Sequence, residues 1–258
     1  MIYDCRDRVR VRNAVLVLTT LAWVLLLTRA SRIPSLSGPH AHHHTSNHNA
    51  VLTSAAVDWV LMLACMMAPI LIQPIQFVRG STLARRRTRT TMLFVAGYTV
   101  VWMFAGALML ALAPALGSSG FPPYVRVGAF FLIALTWQCS PAKQACLNRC
   151  HVLSPLPAFG RTADTGTLVF GATQGMWCAG SCWAWMLLPL LLSSGHIVAM
   201  VATTLLILCE RLDDPAPVSW RWRGLGKAAR IVGAQARIRV PRLLLEVETK
   251  QRWVLSQF

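Results

Sequence analysis

The chain has 258 residues, 55% of them hydrophobic and only 13% charged, yet its formal net charge is +16. A soluble domain rarely combines these figures, and long apolar stretches punctuated by basic clusters read as a polytopic membrane protein. The basic excess then belongs to loops that contact anionic lipid, and not to a nucleic-acid interface, because no compact basic domain carries a recognition motif.

In chain order, six membrane-crossing helices are expected at 13–28, 56–78, 91–114, 125–143, 166–192 and 195–210. The first is short, but residues 29–39 lack a small-x-small cleavage site, so it is read as an anchor and not a signal peptide. Loop charge sets the orientation. Arg6, Arg8, Arg10 and Arg12 precede span 1, "RGSTLARRRTRT" follows span 2, and Lys143, Arg149 and Arg161 follow span 4. The alternate loops hold few charges beyond Arg29 and Arg32. The positive-inside rule therefore expects both termini in the cytoplasm. The fold class is an all-α six-helix bundle. It divides into 1–55 (tail, first span, outer loop), 56–211 (five-helix core) and 212–258 (basic cytoplasmic tail). In the tail, Ile231, Ala234 and Ile238 recur at helical spacing among basic residues, as in a helix lying on the anionic inner leaflet. A solvated tail is the alternative.

The first outer loop reads "GPHAHHHTSNHN". His42, His43 and His44, with His40 and His48 beside them, would hold Cu(II), Zn(II) or Ni(II) weakly in a flexible segment, or form a low-complexity loop of incidental affinity. Span 2 contains "DWVLMLACMMAPI", with Met62, Cys65 and Met66 within about one turn of each other. Span 4 ends in "WQCSPAKQACLNRC". Cys146 and Cys150 stand four residues apart if a helix restarts after Pro141. That spacing suits neither a zinc knuckle nor a thioredoxin motif.

Span 5 contains "GMWCAGSCWAWM". Gly171, Gly175, Cys178 and Cys182 share one helical face, which Met186 continues. Small residues there permit close helix approach. Two thiols one turn apart also converge on a point where a soft ion, Cu(I) above all, would be held; zinc, or no metal at all, are the alternatives. At about 1.5 Å per residue, Cys65 and Cys182 lie at similar depth, so spans 2 and 5 are expected to be neighbours. No Walker loop, GxSxG or HExxH is present, and no catalytic residue is assigned.

The segments "DWVLMLACMMAP", "GYTVVW", "WQCSPAKQACLNRC" and "GMWCAGSCWAWM", with Glu210 at the end of span 6, resemble the DUF2182 family. That family is described as predicted metal-binding integral membrane proteins, some labelled copper chaperones. The resemblance covers roughly 56–211 and implies a metal-binding membrane core. The chain departs from the family in two places: Ser181 stands where a cysteine often does, and Cys65 where alanine is usual. The combined expectation is a bacterial inner-membrane protein that binds and hands on Cu(I), as a chaperone or transport component, to a metal-receiving protein or a membrane enzyme complex. A non-catalytic accessory or assembly subunit is the competing class.

Overall fold

The computed structural model describes residues 5–32, 48–117, 120, 122–157, 159–192, 195–222, 224, 226–227, 229–231 and 233–234. Among them every regular element is helical. The helices are α1 (Cys5–Arg32), α2 (His48–Met67), α3 (Ile72–Ser81), α4 (Arg87–Gly117), α5 (Pro123–Cys139), α6 (Pro141–Cys150), α7 (Gly160–Leu191) and α8 (His196–Leu212). Short 3-10 turns at Ala68–Leu71 and Ala84–Arg86 join α2 to α3 and α3 to α4.

Three of these stretches are long and apolar enough to cross a membrane: Cys5–Arg29, Ala56–Ser81 and Ala84–Leu112. A fourth is added if Tyr124–Cys139 and Pro141–Cys150, bent by 62°, count as one broken span. The second expected span is α2 and α3 in succession, with Pro69 in the 3-10 turn between them. The fourth departs from the continuous helix expected at 125–143. Ser140 is extended, its hydroxyl accepts the Lys143 backbone N–H at 3.1 Å, and Pro141 opens α6 at a new angle. Proline has no N–H to lose at a first turn, so the break is written into "CSP".

Helix α7 is long enough to cross but mixed in composition, because it is the buried centre of the bundle. Gly171, Gln174, Gly175, Cys178, Ser181, Cys182 and Ala184 all lie on its interior side. Lipid-facing helices need aliphatic surface, whereas a central one needs small residues that admit its neighbours. The small face packs on α4. A Cβ on Gly171 would stand 2.1 Å from the Phe94 carbonyl oxygen, and one on Gly97 would stand 2.3 Å from that of Leu168. The two backbones therefore touch, and nothing larger than glycine fits without moving a helix. Helix α2 reaches α4 through Trp59. Its indole lies over Gly106 and donates to the Trp102 carbonyl at 3.2 Å.

One end of the bundle gathers arginines of α3, the second 3-10 turn and α4 around carboxylates of α1 and α7. Arg79 pairs with Asp7 at 2.8 Å and Arg87 with the same carboxylate at 3.6 Å. Arg86 and Arg89 hold Asp164 at 2.8 and 2.7 Å. At the other end Arg29 pairs with Asp58 at 3.0 Å, both half exposed. Lys143 is an exception to the reading of loop charge, since it is buried and paired with Glu210.

After α8 the chain folds back over the α5–α6 corner. Arg221 N–H donates to the Cys139 carbonyl at 3.2 Å, and Asn148 bonds both backbone groups of Ala216, at 2.8 and 3.3 Å. Asp213 then caps a new helical stretch by accepting from Gly224 N at 3.0 Å and Lys227 N at 3.2 Å. Residues 226–227, 229–231 and 233–234 are helical, as the basic tail pattern anticipates, and Ile231 is exposed. Ile238 lies outside the described residues.

Candidate metal centre

The cysteines and methionines singled out in spans 2 and 5 lie in one buried cluster. Met62, Cys65 and Met66 enter it from α2, and Cys178, Cys182 and Met186 from α7. Cys65, Met66, Cys182 and Met186 have no exposed surface at all. Further thioethers come from Met67 at the end of α2, Met109 on α4 and Met200 on α8. The approach of sulfur to sulfur between helices is made by Cys178 Sγ and Met67 Sδ, 3.9 Å apart. Tyr98 on α4 donates its hydroxyl to Cys178 Sγ at 3.3 Å, and Cys182 Sγ donates to the Cys178 carbonyl at 3.0 Å. Among the described residues no three His, Cys, Asp or Glu side chains converge as a ready-made metal cage. What α2 and α7 assemble is instead a mixed thiol and thioether lining, the donor set that favours Cu(I) over harder ions.

The other expected pair, Cys146 and Cys150, stands one turn apart on α6, which packs on α7. Cys146 packs over Gly180, where a Cβ would meet its sulfur at 3.0 Å. Cys150, one turn on, lines a cavity of about 260 Å³ together with Cys178, Tyr98, His151, Gln174 and Arg211. Cys150 and the α7 cysteine Cys178 thus border one cavity, because α6 packs along α7 after the bend at Ser140. Burial, and then the charge of Arg211, push the His151 pKa below its ordinary value, so its imidazole is neutral at pH 7. His42, His43 and His44 lie outside the described residues.

Behind the cluster runs a buried polar network. Lys143 Nζ is 2.7 Å from Glu210 Oε1 and donates to Gln138 Oε1 at 2.5 Å. The Gln138 amide in turn donates to Glu210, and Trp185 Nε1 donates to Gln138 Oε1 at 2.5 Å. Lys143 and Glu210 are 4% and 1% exposed, so both charges have left water and each depends on the other. Arg149 lies over the Trp177 ring, 4.3 Å from its centroid, and ties α6 to α7.

Sequence spacing alone misses Tyr98, Arg211 and Met67. Tyr98 is one turn from Phe94 and Trp102 on the buried face of α4, an ordinary aromatic stripe by pattern. Arg211 follows Glu210 at a helix end, where a cation normally marks the membrane surface.

The class defined by these features is an all-helical protein with at least three membrane-length helices and a sulfur-lined interior. The chain belongs to the PpoB2 family, described as copper chaperone, whose model matches residues 56–234. This bears out the copper-chaperone label that the sequence resemblance implied; the DUF2182 identity rests on the resemblance alone. No curated protein and no solved structure matches the chain.

Proposed function

We propose that the protein is a membrane-embedded copper chaperone that holds Cu(I) among the sulfurs of α2 and α7 and passes it to a metal-receiving protein. One observation carries this reading. Cys178 on α7 and Met67 on α2 bring their sulfurs to 3.9 Å inside a fully buried cluster that also holds Cys65, Cys182, Met62, Met66 and Met186. Thiolate and thioether donors of moderate individual affinity suit an ion that must be bound and then released. The family's copper-chaperone description supports the same cargo. Protein purified in mild detergent without oxygen and loaded with Cu(I) should retain about one ion per chain through desalting, as a two-to-three-sulfur site would. Wild-type protein that emerges copper-free would overturn the reading.

In this proposal α7 and α8 also cross the bilayer, which gives six spans, with the arginine-rich end and both termini in the cytoplasm. The clustering of Arg79, Arg86, Arg87 and Arg89 at one end supports that orientation. Topology reporters fused at residue 45 and at the C-terminus should report opposite sides; the same side for both would rule out six spans.

A further inference from the structure

The cavity beside the sulfur cluster has a composition that packing does not explain. Its wall is built by five segments: the Pro69–Pro74 turn, α4, the end of α6, α7 and α8. Two thiols face it, Cys150 from α6 and Cys178 from α7, and the Arg211 guanidinium lies beside both sulfurs. Arg211 Nε and His151 Nε2 are buried without a hydrogen-bond partner, although most buried polar nitrogens find one. A cation kept next to two thiols, with donor capacity unspent, points to a negatively charged occupant.

We propose that this cavity is a second Cu(I) position, in which Cys150 and Cys178 bind the ion as a bis-thiolate whose net negative charge Arg211 balances. The proposal rests on the copper-handling reading above and extends it from the apolar cluster to the arginine-rich end. Cu(I) carries one positive charge and two thiolates carry two negative ones, so the complex is a monoanion. Burying a monoanion alone is costly, whereas burying it against a fixed guanidinium is not. The Tyr98 hydroxyl, already directed at Cys178 Sγ at 3.3 Å, gives that sulfur a further donor. The exchange needs no redox step. Cu(I) arrives as a complex with two small-molecule thiolates, the Cys150 and Cys178 thiols each give one proton to a departing thiolate, and copper remains Cu(I). Because Cys178 borders both the cavity and the cluster with Met67, it can keep its bond to copper while the second ligand changes from Cys150 to α2 sulfur.

The test uses the full chain in detergent, without oxygen, with Cu(I) supplied in excess glutathione and its affinity measured by competition with a chromogenic Cu(I) chelator. Cys150→Ala and Arg211→Met should each weaken Cu(I) by about tenfold or more, whereas Arg211→Lys should stay within about threefold of wild type, since it keeps the charge. Copper K-edge spectra of the wild type should show sulfur ligands, and the spectrum should change in Cys150→Ala. If Cys150→Ala and Arg211→Met bind as wild type while Cys178→Ala/Cys182→Ala fails, the ion sits only in the α2–α7 cluster and the cavity proposal is overturned with the copper reading intact. A wild type that binds no Cu(I) overturns both. Loss in Arg211→Lys as great as in Arg211→Met would remove the counter-charge role. Should Arg211→Met fail to fold, Cys150→Ala, which leaves the arginine in place, still decides the matter.

Discussion

Cys178→Ala/Cys182→Ala is expected to fold and insert yet to retain less than about a tenth of the copper held by wild type, because two of the soft donors are gone. Packing loss must be separated from ligand loss. Each substitution removes one buried sulfur, worth about 1 kcal/mol by analogy with a methylene-sized deletion. Cys178→Ala has an additional cost, because the Tyr98 hydroxyl loses its acceptor inside the bundle. Adding Tyr98→Phe to the double variant removes that stranded donor and should recover part of the thermal stability without recovering copper. Cys178→Ser/Cys182→Ser supplies the complementary control, since a serine oxygen can still accept from Tyr98 but is too hard a donor for Cu(I). Ala and Ser variants should therefore differ in stability and agree in copper loss. Full copper retention in either folded variant would show that the pair serves helix packing alone.

Glu210→Gln is expected to destabilise the bundle by about 3–5 kcal/mol, because it strands the Lys143 ammonium with no counter-charge. In a chain of this size that corresponds to a fall in thermal midpoint of about 10 °C, readable by heating detergent-solubilised protein. Removing both charges is a different experiment. Lys143→Met/Glu210→Gln should recover most of the loss, since a buried ion pair is often no better than an apolar replacement of similar volume. Gln138 remains as a partner for the new amide. A Glu210→Gln protein that melts with the wild type would mean that Lys143 escapes to water and that the pair is not closed.

Much of the helical order can be read from hydropathy, because spans that face lipid must be apolar along their length. The stretches at 13–28, 56–78 and 91–114 each fall within a helix, or helix pair, of membrane length. The partner of the Gly171 and Gly175 face is not readable in that way. Small residues announce a close approach but do not name the neighbour, and the neighbour is α4, reached through Phe94 and Tyr98 backbone. The cysteines of α6 show the same limit. Spacing places Cys146 and Cys150 one turn apart, but it does not reveal the 62° bend at Ser140 and Pro141 that lays their helix along α7, with Cys146 over Gly180 and Cys150 on the cavity that Cys178 also lines. Lys143 misled for a third reason. A lysine two residues past a proline reads as a loop charge, and only Glu210, 67 positions on, explains its burial.

The glycine contact between α4 and α7 gives the interior two walls of unequal stiffness. On one side main chain meets main chain at Gly97 and Gly171, a separation set by backbone van der Waals contact with no side chain between to adjust. On the other, Met62, Met66 and Met67 line α2 with unbranched thioethers that reshape by bond rotation alone. Cys178, Cys182 and Met186 ride on the stiff wall, and Met62, Met66 and Met67 on the compliant one. An ion can therefore be admitted, and its loss absorbed, by torsions of a few methionine side chains while every helix axis stays where it is.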